Sequence, residues 1–253
     1  MEDNLNAVLI LGSAPDAVRV REFDLSRCSS IVVLNNAWQL RDDWTHIVYP
    51  EDFVEARRPA EVSGKTVVEY DQFVPANNQF GGIIYAGGTM AFTGAYWALA
   101  ALRPDLLIFL GCDMVYDGDP TASHFYGQGE PDPLRDDPTL QSLEAKSERL
   151  RWMALGQNCV CLNLSNKSDS RLTFDRLDAD LLGSALNRRR SEGLKRLNTH
   201  ANSDAANRAM AAEKQANCFV ESGDYWNSQQ KLDPKMLAQI DLLWMQVFDS
   251  SAT

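Results

Sequence analysis

The helix–strand unit between residues 89 and 110 constrains the fold of this chain most strongly. Thr89 stands where an N-cap should be, and the alanine-rich run from there to Leu102 contains no proline, so it predicts a helix. Arg103-Pro104 ends that helix, because a proline biases the preceding residue away from helical geometry. The next segment, Leu106–Leu110, is short and wholly apolar, which is typical of a central strand in a parallel sheet.

Further strand-like segments alternate with helical ones along the first two thirds of the chain. This alternation predicts an α/β fold with a doubly wound, mostly parallel, Rossmann-like sheet. The segments predicted as strands are Ala7–Leu11, Ile31–Leu34, His46–Tyr49, Thr66–Tyr70 and Cys159–Leu164, the last of which is expected to close the sheet. A helix from Thr139 to about Leu155, with Pro138 at its start, is expected before that last strand.

The composition changes beyond about residue 172, where strand signals stop and alanine, asparagine, lysine and arginine become frequent. We therefore predict a catalytic domain over residues 1–171 and a helical C-terminal extension over residues 172–253, with helices over 203–221 and 234–248. In the last helix one face is apolar, and it is expected to pack on the main domain. A partner surface or a homo-oligomer interface is the alternative. That face consists of Leu237, Ile240, Trp244, Val247 and Phe248.

Charge and cysteine content exclude several classes of protein. The formal net charge is −11, whereas binding to a phosphate backbone requires clustered lysine and arginine, so no nucleic-acid partner is expected. The five cysteines have neither zinc-site spacing nor the pattern of a disulfide framework. The amino terminus is acidic and lacks the basic region of a signal peptide, and no apolar run is long enough for a membrane span. A cytoplasmic location is expected.

Polar residues follow the predicted strands at the edge where ligands bind in open α/β sheets. Glycine and serine after a first strand let a backbone approach a phosphate, and a helix start offers free N–H groups to an anion. Asparagines at a strand end are either turn formers or ligand-binding amides. The candidate binding residues are Gly12, Ser13, Asn35, Asn36, Gly87, Gly88, Thr89, Gly111 and Asp113.

His124 is the strongest candidate for a catalytic base. It lies in a loop rich in serine and aromatic residues after the central strand, and the ordinary pKa of histidine suits proton transfer near neutral pH. A surface loop histidine is the alternative interpretation. Tyr116 and Tyr126 flank it, and phenolic hydroxyls are good hydrogen-bond donors to a departing phosphate.

Asp117-Gly118-Asp119 has the D-x-D form with which many glycosyltransferases hold a divalent cation on a sugar nucleotide. The same three residues are ordinary turn chemistry. The turn is the favoured interpretation, so neither a metal nor another cofactor is expected.

The order of these motifs resembles the bacterial lipo-oligosaccharide sialyltransferases of glycosyltransferase family 42. The shared features begin with Gly-Ser-x-Pro after strand one, an asparagine after strand two, and a glycine-led helix before a Gly-x-Asp strand end. They continue with Ser123-His124-Phe125-Tyr126-Gly127, a helix and a C-x-C strand. The resemblance covers residues 7–165, and it extends more loosely to uncharacterised relatives of that family and to archaeal-type pterin diphosphokinases.

This resemblance implies a GT-A-like sialyltransferase variant that transfers a nonulosonic-acid-type sugar from a CMP-activated donor to a hydroxyl of a glycan or lipo-oligosaccharide acceptor. The transfer would invert the sugar and use no metal. Gly12, Ser13 and Asn35 would hold the nucleotide phosphate and ribose. Gly87, Gly88 and Thr89 would contact the donor, and Gly111 and Asp113 the cytidine. Tyr116 and Tyr126 would stabilise the leaving phosphate, and His124 would deprotonate the acceptor. Where the family has asparagine after strand three, this chain has the acidic pair Glu51-Asp52.

Two other functions stay open at the level of sequence. One is a Mg²⁺-dependent diphosphokinase in which Asp113, Asp117 and Asp119 hold the metal and ATP. The other is a non-catalytic nucleotide-binding protein whose C-terminal helices recruit a partner.

Overall fold

The computed structural model describes residues 5–115, 123–127, 142–183, 185–227 and 232–248. Strands in these ranges form one sheet in which every pairing is parallel. They are β1 (Ala7–Leu11), β2 (Ser30–Leu34), β3 (His46–Val48), β4 (Thr66–Val68), β5 (Leu106–Leu110), β6 (Val160–Asn163) and β7 (Asp175–Arg176). Their order across the sheet is β4-β3-β2-β1-β5-β6-β7. The chain thus winds outward from β1 in both directions, which confirms the predicted doubly wound α/β, Rossmann-like fold.

The two central strands, β1 and β5, are buried along their whole length. They pair in register, with Leu9 opposite Ile108. Strands that are covered on both faces read as continuous apolar runs rather than alternating ones. This is why the sequences of β1 and β5 predict their bounds correctly.

Helices cover both faces of the sheet. They are α1 (Tyr70–Asn78), α2 (Ile83–Ala86), α3 (Met90–Ala101), α4 (Leu143–Leu155), α5 (Leu186–His200), α6 (Ser203–Ala216) and α7 (Pro234–Trp244). Helices α1, α3 and α4 pack on the face that presents Val8 and Ile10. The other face is covered by α5 and by two short 3₁₀ segments, residues 15–22 and 35–40. Among the described residues, no helix combines the length and apolar composition that a membrane crossing requires.

Side-chain caps set the start of several helices. The Thr89 hydroxyl accepts a hydrogen bond from the backbone N–H of Phe92 (3.4 Å), as the sequence predicts for the N-cap of α3. Ser142 caps α4 in the same way, so this helix begins at Leu143. The predicted start at Thr139, with Pro138 before it, lies outside the described residues.

Several predicted boundaries were wrong, and the last helix, expected over 234–248, ends at Trp244. The strand expected over 66–70 ends at Val68, because Tyr70 already begins α1 and the Glu69 carbonyl accepts the first helical hydrogen bonds. Residues 159–164 do not close the sheet, since β7 pairs with β6 beyond them. Helix α6 ends at Ala216 rather than Glu221, because Asn217 adopts a left-handed conformation with φ of 50°.

The C-terminal helices pack on the sheet domain through a third hydrophobic cluster. Leu237, Ile240, Trp244 and Val247 are buried in it, as the apolar face of the last helix predicted. The same cluster contains Ile84 and Tyr85 of α2 and Ala145 of α4, together with alanines of α6. The two parts of the chain therefore share a buried core, while the domain boundary at residue 171 stays a prediction.

A buried ion pair crosses this shared core. The Arg149 guanidinium donates to both carboxylate oxygens of Glu213, at 2.7 and 2.8 Å. It also donates to the Tyr96 hydroxyl at 2.9 Å, and the Trp244 indole N–H donates to Glu213 at 2.7 Å. The two charged side chains are only 3% and 8% exposed. Since a buried charge is costly without its partner, α4 and α6 depend on each other at this point.

We predict that Glu213→Gln lowers the free energy of unfolding by about 3–5 kcal/mol, because it leaves the Arg149 charge buried without a counter-charge. The measurement is urea denaturation, read as a lower midpoint. The control is Glu192→Gln, which removes an exposed pair with Arg188 on α5 and should change stability by less than about 1 kcal/mol. Equal losses in the two variants would contradict the role of the buried pair.

Candidate functional site

A close contact between two glycines shapes the carboxyl edge of the sheet where its winding reverses. Gly12 follows β1 and Gly111 follows β5. A Cβ atom on Gly12 would lie 2.3 Å from the Gly111 carbonyl oxygen, and Gly111 has φ of +69°, a conformation that favours glycine. The Gly12 N–H donates to the Leu110 carbonyl at 2.8 Å. The two loops therefore lie against each other, with no side chain between them.

The segment 123–127 crosses the end of β1. The backbone N–H of Phe125 donates to the Ser13 carbonyl at 3.0 Å, and Gly127 closes a turn by donating to the His124 carbonyl. Phe125 packs against the core beneath. The rings of His124 and Tyr126 stack with centroids 4.9 Å apart. This segment holds the His124 imidazole at the end of β1.

The surroundings of His124 favour its neutral form. Burial lowers the pKa of His124, and the positive charge of Arg57 lowers it further. The Arg57 guanidinium lies over the Tyr126 ring, 6.0 Å from the centroid. His124 Nδ1 lies 2.8 Å from the Ser123 hydroxyl. A neutral imidazole at neutral pH is the form that can accept a proton.

A cavity of about 610 Å³ opens at the ends of β2 and β3, and its lining includes no residue of segment 123–127. Its inner wall contains Asn35, the first residue after β2, whose side-chain oxygen is buried and has no hydrogen-bond partner among the described residues. The acidic pair Glu51-Asp52 lines it on the β3 side. A volume of this size is typical of small-molecule sites.

The amino end of α3 forms another part of the cavity wall. Gly88, Thr89, Met90 and Thr93 line it. Backbone N–H groups of the first helical turn have no intrahelical partner and carry the positive end of the helix dipole. This end of the helix suits a phosphate or another anion.

Asp113 is buried at the end of β5, and its side-chain Oδ2 has no hydrogen-bond partner among the described residues. Its side chain is 1% exposed. It accepts a hydrogen bond from Asn163 at 3.1 Å and lies 3.8 Å from the Arg176 guanidinium. Nearby, Asp16 accepts a hydrogen bond from Ser165 at 2.9 Å. Burial raises the pKa of Asp16, against the Ser165 hydrogen bond, and the Asp113 charge raises it further. These carboxylates hold the loops after β1, β5 and β6 together.

The structure divides the predicted site residues into three groups. Asn35, Gly88 and Thr89 line the cavity. Gly12, Ser13, Gly111, His124 and Tyr126 lie together at the ends of β1 and β5. Asn36 and Asp113 are buried side chains that do not line the cavity, and Gly87 ends α2 by donating to the Ile83 carbonyl. Tyr116 and the aspartates of Asp117-Gly118-Asp119 lie outside the described residues.

Sequence reasoning missed the residues that form the outer walls of the cavity. Tyr70 begins α1, while Tyr225 and Trp226 come from the C-terminal region. The adjacent aromatic pair after Gly223-Asp224 was a signal for a binding surface, since such residues are rare in that polar stretch. Arg57 was also missed, because only the fold brings it to Tyr126.

No cluster of three or more histidine, cysteine, aspartate or glutamate side chains suited to a metal ion occurs among the described residues. Comparisons with protein-family models, with curated proteins and with solved structures give no match.

We predict that Arg57→Gln raises the pKa of His124, because it removes a positive charge that disfavours the imidazolium. The measurement is an NMR titration of the histidine ring protons. Arg58→Gln is the matched control: this neighbouring arginine lies over Tyr49 and near Glu69 instead, so its loss should leave the titration of His124 unchanged. The same shift in both variants would show that Arg57 has no specific effect.

Proposed function

We propose that this protein is a glycosyltransferase that moves a nonulosonic-acid-type sugar from a CMP-activated donor to a hydroxyl of a glycan acceptor. The observation that carries the proposal is the position of His124. Its half-buried imidazole, with a lowered pKa, is held over the end of the central strand by the hydrogen bond between Phe125 and Ser13. In open α/β sheets, ligands bind at the carboxyl ends of the strands. A general base that acts on such a ligand must lie at this edge of the sheet.

The proposed reaction is a single displacement at the anomeric carbon. The acceptor hydroxyl attacks this carbon as its proton passes to His124. The proposed tautomer carries its proton on Nδ1, 2.8 Å from the Ser123 hydroxyl, and in that tautomer Nε2 takes the proton of the acceptor. The bond between the anomeric carbon and the phosphate oxygen breaks, and CMP leaves with the electron pair. Attack opposite the leaving group inverts the configuration.

The cavity supplies the proposed binding site for the donor. Its phosphate would bind at the amino end of α3, where Gly88 and Thr89 line the cavity. The Asn35 side-chain oxygen, which has no partner among the described residues, would accept a hydrogen bond from the ribose. Both interactions use neutral groups, so this part of the site needs no cation to bridge it to a phosphate.

We predict that CMP raises the melting temperature of the protein equally with and without Mg²⁺, because the donors at α3 and Asn35 are neutral. Ligand that binds the native state raises the melting temperature by mass action. The measurement is a thermal-shift series with CMP, CDP, UDP, GDP and ATP. A shift that occurs only with ATP and Mg²⁺ would replace the transferase proposal by the diphosphokinase alternative.

We predict that His124→Gln lowers kcat by about 10²–10⁴-fold, the usual contribution of a positioned base, while CMP affinity stays nearly unchanged. The measurements are CMP release from the donor and calorimetric binding of CMP. His46→Gln is the control, since His46 is also half-buried, has a pKa lowered by burial and has Nδ1 beside a preceding hydroxyl, Thr45. It lies at the opposite end of a strand, so its loss should spare kcat. Full activity of His124→Gln would refute its role as the base.

A further inference from the structure

The cavity has two halves of opposite chemical character. One half contains the amino end of α3, which favours anions. The other half contains four aromatic side chains and two carboxylates, and no lysine or arginine of the described chain lines it. These six residues, which we term the aromatic–acidic half, are Glu51, Asp52, Tyr70, Phe73, Tyr225 and Trp226. A ligand that fills the cavity therefore meets two different electrostatic environments.

The aromatic residues stand as two pairs of nearly perpendicular rings. Tyr225 and Trp226 have ring centroids 5.2 Å apart and an interplanar angle of 74°. Tyr70 and Phe73 have centroids 5.8 Å apart and the same angle of 74°. Trp226 is 64% exposed although it is the largest type of apolar side chain. Perpendicular aromatic rings around an open space form the kind of surface that binds quaternary or protonated ammonium groups.

Hydrogen bonds hold the C-terminal wall in place over α1. The Tyr70 hydroxyl lies within hydrogen-bond distance of the Ser222 carbonyl and of the Asp224 carboxylate (2.9 Å), and it shares its one proton between these two acceptors. The Asn78 side chain donates to the Glu221 carbonyl at 2.8 Å. The wall that carries Tyr225 and Trp226 is thus attached to the sheet domain.

The carboxylates give this half its negative potential. Burial raises the pKa of Tyr70 to about 12, and the negative charges of Asp224 and Glu51 contribute to this. Glu51 and Tyr70 line the same cavity. Asp52 follows Glu51 on the same wall. A cation placed among these rings would interact both with the carboxylates and with the negative faces of the rings.

We propose that the aromatic–acidic half binds an ammonium group, and that the acceptor of the transfer reaction carries a protonated or quaternary amine. Calling this ligand the acceptor rests on the proposed function, whereas the ammonium site itself rests only on the cavity. The same electrostatics disfavour an acceptor with a carboxylate or phosphate at this position, because like charges would meet at Glu51 and Asp52. The donor's anionic groups would instead bind at the α3 half.

The test compares two probes of the same shape: choline, and its neutral analogue in which a tert-butyl group replaces the trimethylammonium group. Ligand-observed NMR titration of the full chain follows the methyl signal of each. We expect the neutral analogue to bind about 3- to 30-fold more weakly, the range that a cation adds at aromatic sites of this kind. The variant Glu51→Gln/Asp52→Asn should weaken choline binding and leave the analogue unaffected.

Two further variants test whether the Trp226 ring itself contributes to choline binding. Trp226→Ala should weaken choline binding, and Trp226→Phe should restore part of it. The control is Leu242→Ala on α7, whose side chain is also 64% exposed and lies outside the cavity lining. It should bind choline like the unmodified protein.

The outcomes distinguish the two proposals. Equal binding of choline and its analogue, no binding of choline, or unchanged choline affinity in Glu51→Gln/Asp52→Asn would overturn the ammonium site. If choline binds as expected but CMP does not bind, the ammonium site stands and the CMP-sugar transferase proposal falls. If CMP binds and choline shows no preference over its analogue, the ammonium site is overturned and the CMP-sugar transferase proposal stands.

Discussion

The contact between Gly12 and Gly111 determines how the two central strands end. With no side chain on either residue, the loops after β1 and β5 approach to a distance that a Cβ atom would prevent. The Ser13 carbonyl then accepts a hydrogen bond from Phe125 of segment 123–127. In the same loop, burial raises the pKa of Asp16, and the charge of Asp113 raises it further. In a doubly wound sheet this crevice is where ligands bind. Much of the proposed active-site geometry therefore follows from one close backbone approach.

The C-terminal region contributes to both stability and the cavity. Glu213 of α6 neutralises Arg149 inside the core, and Trp244 of α7 donates to the same carboxylate. A few residues beyond α6, the chain returns to α1 through the Tyr70 and Asn78 hydrogen bonds and supplies Tyr225 and Trp226 to the cavity. The helices thus position a binding wall as well as covering the apolar surface of α2 and α4.

Charges of opposite sign are separated across the site. Arg57 lies beside His124 and Tyr126, whereas Glu51 and Asp52, only a few residues earlier in the chain, line the cavity. The loop after β3 therefore supplies a cation to the proposed base and anions to the proposed acceptor site. In a protein with a net charge of −11, this local arrangement, and not the overall charge, decides which ligand groups each part of the site favours.

The apolar runs of β1 and β5, the Thr89 cap and the alternation of strands with helices were enough to predict the sheet and its central helix, because burial on both faces and helix capping leave local signals in the sequence. The end of each predicted strand also indicated which residues lie at the carboxyl edge of the sheet. The sequence could not show that Asn35, Tyr70 and Trp226 share one cavity, or that Arg57 lies against Tyr126. It also gave no sign that Asp113 is engaged with Asn163 and Arg176. These contacts join residues that are far apart along the chain, and their positions depend on how helices and loops pack on the finished sheet.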